Sequence, residues 1–254
     1  MIDRQKVKEQ FASYTRKYDV TDDKIALKIA HTYRVADNCE QIALSLNMSE
    51  EDVDFAWLSG MLHDVGRFEQ VRRYNTFSDS RSEDHAELGA DLLFGEEKLI
   101  LGYTDDRERD KELETVIRQH NKYRVNEAIE GRTLVFCNIL RDADKVDILR
   151  VNVESPIKEI YIVPEEVLYE AGVSETVMKY VREHRAVDRR DVKTPAEHLI
   201  GHIALTFELA YPRSVELAKE QGYLYKMFEF PTKNASTKAA LEETRRELER
   251  VFGT

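Results

Sequence analysis

Four histidines and two aspartates recur along the chain in one order: His31, the adjacent pair His63-Asp64, His85, His120 and Asp144. Neutral imidazole and carboxylate are donors that Zn, Mn, Fe, Co and Ni accept. Together they are enough to hold one or two divalent ions, and bound ions activate water. Metal-assisted chemistry is therefore the first expectation. The chain has no CxxC and no HExxH, which argues against a structural zinc knot and a zincin protease.

Such residues need elements that gather them. Gly and Pro number only 10 and 5 in 254 residues, too few turn residues for a hairpin-rich fold, so helices are expected. Charged residues make up 34%, which suits the outer faces of amphipathic helices. Helical periodicity predicts helices over 3–18, 22–46, from Ser49 to near Gly66, and over 83–97, 109–120, 132–151, 174–184, 195–210 and 236–252. Thr21 is the expected N-cap of the second helix, with Asp22 and Asp23 placed for its dipole. Ser49 and Asp52 form a capping-box signature, Ser82 caps 83–97, and Pro195 suits a first helical turn. Residues 67–81, "RFEQVRRYNTFSDSR", show no sustained apolar period and read as a loop of functional length. "SPIKEIYIVPEE" reads as holding a short extended piece.

On these helices His31 shares a stripe with Leu27, Val35 and Ile42, and His85 with Leu88, Gly89 and Leu92. His120 ends the stripe Leu113, Val116, Ile117, and Asp144 lies with Cys137, Leu140 and Ile148. These side chains all point inward. A single inward histidine is ordinarily a packed core residue. Four of them with two inward acids point to a shared site, because a buried carboxylate must be protonated, paired or coordinated. No inward Lys or Arg is an evident mate for Asp64.

His31, "GMLHDVGRFEQ" and the distal "LRDADKVDIL" resemble the HD-domain superfamily of metal-dependent phosphohydrolases over residues 22–150. The resemblance implies an all-α HD-domain helical bundle at 1–150, with 151–254 a helical extension packed on the same core. It makes Asp144 the distal ligand, with Asp142 and Asp147 as close competitors. His85 in "EDHAELG" and His120 in "IRQHNK" resemble the two additional histidines of binuclear members. By that resemblance His31, His63, Asp64 and Asp144 hold one ion, and His85, His120 and Asp64 the other, Asp64 bridging. The implied cofactor is a divalent transition metal, two ions of Fe, Mn, Zn, Co or Ni. The implied activity is hydrolysis of a phosphate ester, of a nucleotide or another small phosphorylated metabolite, by a metal-bridging hydroxide. HD-fold di-iron oxygenases with the same six ligands, and a non-catalytic nucleotide-sensing module, are the alternatives.

A phosphoryl group needs further positive charge. Arg67, Arg72, Arg73 and Arg81 follow the His-Asp pair, and Lys122 and Lys145 follow His120 and Asp144. Arg67, Arg72, Arg73, Lys122 and Lys145 are the expected substrate-binding residues, and Arg67, next to Gly66, is the first choice among the arginines. Tyr74 and Phe77 have rings able to stack on a base. His184, His198 and His202 lie outside the constellation and read as packing or surface residues. The net charge of −11 argues against duplex nucleic acid and anionic membranes as partners. The polar "MIDRQKVKEQ" start, the lack of a long apolar run, and two cysteines, Cys39 and Cys137, inside apolar patterns lead to the expectation of a cytoplasmic protein.

Overall fold

Every regular element among residues 2–253, which the structure (a computed structural model) describes, is a helix; no strand occurs among them. The all-α expectation therefore holds. The chain forms two compact units, Met1–Asp144 and Lys145–Thr254.

The first unit contains α1 (Arg4–Thr15), α2 (Asp23–Ser45), α3 (Glu50–Leu62), α4 (Val65–Tyr74), α5 (His85–Phe94), α6 (Ile100–Tyr103), α7 (Asp110–Gln119) and the first part of α8 (Gly131–Glu154). Asp22, not Thr21, caps α2 by accepting from the Lys24 amide. Ser49 caps α3 as expected. Asp84, not Ser82, caps α5, because the Asp84 carboxylate reaches the Ala86 and Glu87 amides while the Ser82 hydroxyl serves Gln70 and the Ser78 carbonyl.

The expected loop at 67–81 is helical as far as Tyr74, and only 75–84 is loop, with a 3-10 turn at Asp79–Arg81. The apolar spacing Val65, Phe68, Val71 is genuine but narrow. Glu69 and Gln70 hid it, since both are buried and polar. Arg72 and Arg73 each donate to Glu69 Oε1 at 2.6 Å, which offsets the cost of burying that carboxylate.

Close helix approaches hold the site-bearing segments. A Cβ on Gly60 would lie 2.5 Å from the Ala36 Cα, so α3 crosses α2 with no room for a side chain. A Cβ on Gly66 would lie 2.2 Å from the His85 carbonyl oxygen and 2.6 Å from the Gly89 amide nitrogen. Gly66 therefore sits in the first turn of α4 as a packing point against α5, rather than ending α3. Phe11 and Tyr14 of α1 pack edge-on against Phe68, and the Tyr14 hydroxyl donates to the Val65 carbonyl at 3.0 Å, bracing the start of α4. Asn38 donates to the Ala143 carbonyl at 3.2 Å, tying α2 to α8 beside Asp144. Arg141 donates to the carbonyls of Gln119, His120 and Lys122, satisfying the end of α7.

The second unit takes the rest of α8 and adds α9 (Ile157–Ile160), α10 (Glu165–Glu170), α11 (Glu175–Arg182), α12 (Pro195–Ala204), α13 (Pro212–Gln221), α14 (Tyr223–Phe228) and α15 (Ala235–Phe252). The segment expected to hold an extended piece forms short helical turns instead. Each starts behind a proline (Pro156, Pro164) that presets φ for a helical entry. Helices α13 and α14 lie where no helix was predicted; Gly222, at φ 72°, separates them and interrupts the period. Pro195 does open α12, behind a Thr194–Glu197 capping box. His202 Nδ1 and the Tyr161 hydroxyl both donate to Asn152 Oδ1 at 2.7 Å, His198 packs edge-on against Tyr161, and His184 faces Glu247 at 2.9 Å.

Gly66→Ala must push α4 and α5 apart at the backbone. It is expected to cost about 3 kcal/mol or more, at the upper end of core overpacking. Gly201→Ala meets only Val187 Cβ at 3.7 Å, inside a helix, and should be neutral or stabilising by up to ~1 kcal/mol. Thermal melts of the two variants check the contrast; a Gly66→Ala protein as stable as wild type would contradict the close approach.

Candidate metal centre

His63 and Asp64 occupy the corner between two helices. The α3 helix ends at Leu62, Asp64 takes φ −105° and ψ 16°, and α4 starts at Val65. Asp64 therefore stands at the N-cap position of α4, where an aspartate normally accepts from the helix amides, a bond worth ~1 kcal/mol. Here its side chain makes no capping bond. It turns instead into a cluster formed by His31 of α2, His63, His85 of α5, His120 at the end of α7 and Asp144 of α8.

The two oxygens of Asp64 divide that cluster. Oδ2 lies 3.6 Å from His31 Nε2 and 3.4 Å from His63 Nε2, and Oδ1 lies 3.5 Å from His85 Nε2 and 3.9 Å from His120 Nε2. Asp144 Oδ1 joins the first side, 3.1 Å from His31 Nε2 and 4.0 Å from His63 Nε2. Within the sides, the His31–His63 and His85–His120 Nε2 atoms are 3.3 and 3.0 Å apart. Two ligands bound at 2.0–2.1 Å to one ion stand about 2.9 Å apart in an octahedron and about 3.4 Å apart in a tetrahedron. Most donor spacings match that range or exceed it by about 0.2 Å, and the His120–Asp64 and His63–Asp144 spacings, 3.9 and 4.0 Å, are the widest. Both triads, His31-His63-Asp64 and Asp64-His85-His120, are buried and compatible with a metal ion.

Tautomers sharpen the fit. Nδ1 of His63 faces the Gly60 carbonyl at 2.7 Å, and Nδ1 of His120 faces the Ile117 carbonyl at 2.7 Å. Nδ1 of His85 faces both Asp79 oxygens, at 2.9 and 3.0 Å. Carbonyls and carboxylates only accept, so each of these rings carries its proton on Nδ1 and presents a bare lone pair at Nε2. His85 and His120 then aim two lone pairs at each other across 3.0 Å, an arrangement that calls for a cation between them. A proton does not supply it at neutral pH. Burial, together with His85 and His63, pushes His120 down to about 3, and burial with Arg67 lowers His85. Burial would raise Asp64, but Lys28, His63 and Arg67 outweigh it and hold the carboxyl well below its usual range. Asp144 is held low in the same way, chiefly by the His31 hydrogen bond against the cost of burial.

The positive partners differ from those expected. Lys28, one turn before His31 on α2, puts Nζ 2.6 Å from Asp64 Oδ2; the sequence had shown no mate for Asp64. Its long stem lets a residue on the flank of the inward stripe reach the carboxylate. Of the expected substrate-binding residues, Arg67 reaches the cluster, with Nε 3.6 Å from Asp64 Oδ1. Arg72 and Arg73 bind Glu69, Lys122 binds Asp84 and Glu87, and Lys145 donates to the Glu208 carbonyl at 3.1 Å. Phe77 lies under the Lys28 and Arg67 charges at 5.5 and 5.7 Å, while Tyr74 is exposed and bonded to Glu83. Asp79, which sequence reasoning passed over, sits against His85. Together with Asp84 and His85 it forms a third acidic group, but its carboxylates are already taken: Asp79 by Arg67 and Gln70, Asp84 by Asn121, Lys122 and the α5 amides.

Among known families, the family model described as the HD domain matches residues 29–149, a span that holds all six clustered residues. No curated protein and no solved structure matched the chain. HD domains bind divalent metals, and their superfamily is one of metal-dependent hydrolases. With its helical bundle and its buried His/Asp triads, the segment 29–149 of the chain is an HD domain.

Proposed function

We propose that the chain is a binuclear metal-dependent phosphohydrolase, cleaving a phosphate ester of a nucleotide or another small phosphorylated metabolite. The single observation that carries this is the division of the Asp64 oxygens between two imidazole pairs, one of which, His85–His120, sets two bare lone pairs face to face. His31, His63, Asp64 and Asp144 would hold one ion, and Asp64, His85 and His120 the other. Asp144 is preferred to Asp142 and Asp147 because its Oδ1 stands 3.1 Å from His31 Nε2. Metal held by these residues would supply an activated water, a nucleophile at neutral pH.

The remaining work belongs to the side chains. Asp64 orients both halves of the centre. Gly60 and Ile117 carbonyls fix the His63 and His120 rings so that the donor set is preorganised. Arg67 and Lys28 place two positive charges against Asp64, where a phosphoryl oxygen would need them. Arg72, Arg73, Lys122 and Lys145 remain candidates only if they leave their present partners. No helix among the described residues is long and apolar enough to cross a membrane. Cys39 and Cys137 are free and buried, which supports a reducing, cytoplasmic setting for the enzyme.

Protein purified without added metal should contain transition metal and release phosphate from some member of a panel of nucleotides and sugar phosphates, with chelation abolishing turnover. Asp64→Asn should keep its helical circular dichroism and lose metal affinity by more than the ~100-fold that loss of an outer partner costs. Oxygen uptake by iron-loaded protein without phosphate release, or tight nucleotide binding without turnover, would overturn the hydrolytic reading.

Acid should destabilise the metal-free protein. Below pH ~6.5 each histidine of the unfolded chain binds a proton, whereas folded His120 takes none until about 3 and His85 is shifted the same way. The unfolded state then carries more protons, so stability is full above pH ~6.5 and falls as the pH drops toward the folded values, by up to about 1.4 kcal/mol per unit for each group. Asp64 and Asp144 extend the loss below pH ~4. Melting temperatures between pH 7.5 and 5 should fall for the metal-free wild type and less steeply for His120→Gln. Equal slopes would contradict the assignment.

A further inference from the structure

We propose that Asp79 is a positioning residue of this centre, holding the His85 imidazole toward an ion and the Arg67 guanidinium toward a bound anion; this rests on the two-ion phosphoryl reading above. Asp79 lies on the 3-10 turn of the 75–84 loop. Both its oxygens face His85 Nδ1, at 2.9 and 3.0 Å, whereas His63 and His120 lean on backbone carbonyls. A carboxylate behind an imidazole fixes its ring and raises the basicity of the far nitrogen. The two sides of the centre are therefore unequal, and the His85–His120 side has the more strongly donating ring.

The same carboxylate also holds Arg67. Arg67 Nη1 donates to Asp79 Oδ1 at 2.9 Å, to the Phe77 carbonyl at 2.6 Å and to Gln70 Oε1 at 2.7 Å. Gln70, fully buried, donates to Asp79 Oδ1 at 2.9 Å and also to Ser82 and the Glu83 carbonyl, so α4 locks the turn in place. With Nη1 spent, Arg67 Nε is left as a buried donor with no acceptor, 3.6 Å from Asp64 Oδ1. A buried donor without an acceptor is costly, and this one faces the carboxylate shared by the two imidazole pairs. An oxygen of a tetrahedral oxyanion lodged beside Asp64 would complete it. Asp79 thus links the metal ligand and the anion donor through one side chain, and removing it should loosen both.

The test titrates metal-depleted wild type, Asp79→Asn and Asp79→Ala with Mn2+ by equilibrium dialysis, then titrates the Mn2+-loaded proteins with inorganic phosphate. Wild type should take up two ions. Asp79→Ala should keep one at wild-type affinity and bind the other 10–100-fold more weakly, with phosphate weakened as well. Asp79→Asn, whose amide oxygen can still accept from Nδ1–H, should lie near the tenfold end. Asp79→Ala that is folded and binds both ions as wild type does would overturn the proposal. Should that variant lose its helical circular dichroism, Asp79→Asn decides, and wild-type Mn2+ and phosphate affinities in it would overturn the proposal equally. Wild type that takes up no Mn2+ refutes the metal centre itself, a result distinct from an unaltered Asp79 variant.

Discussion

Two imidazole nitrogens facing each other across 3.0 Å, both stripped of their protons by the groups behind them, set the terms for the first unit of this protein. Lone pairs held that close repel unless a cation lies between them. Burial keeps the rings neutral, so a proton cannot serve at neutral pH. On the opposite side of Asp64, His31, His63 and Asp144 pose a similar demand with one more carboxylate. Lys28 and Arg67 neutralise part of the negative charge from outside the donor set.

The fold gives up stability to hold this arrangement. Asp64 occupies a capping position without capping, at a cost of ~1 kcal/mol. His63 and His120 sit at helix C-termini, where their ring N–H groups donate to carbonyls of the last helical turn. That local use of a backbone carbonyl fixes the tautomer without a dedicated side-chain partner. The Gly66–Gly89 approach brings His85 to the same point, and the Tyr14 bond to the Val65 carbonyl stiffens the corner that presents Asp64. The His63 and His120 rings are thus aimed by backbone carbonyls, and the His85 ring by the Asp79 carboxylate.

Helical periodicity made the inward direction of His31, His85, His120 and Asp144 legible, because a side chain on an apolar stripe has one place to go. It could not reveal Lys28, whose stem reaches inward from the flank of its stripe, or Asp79, whose loop has no period to give it a direction. Arg72 and Arg73 looked like loop cations because Glu69 and Gln70 masked the narrow apolar face of α4; once that helix forms, both arginines are needed by the buried Glu69. The expected end of α3 at Gly66 was late as well, since the chain breaks earlier, at the His63-Asp64 pair. In the second unit Gly222 broke the period between α13 and α14, so neither helix was visible.

On the proposed reading the Asp64 carboxylate is shared between two cations. Anomalous diffraction from crystals equilibrated with Mn2+ should then show two peaks flanking that carboxylate, one in bonding range of His31, His63 and Asp144 and the other of His85 and His120. A single peak away from Asp64, or none under saturating Mn2+ with the His85 and His120 rings still in contact, would contradict it.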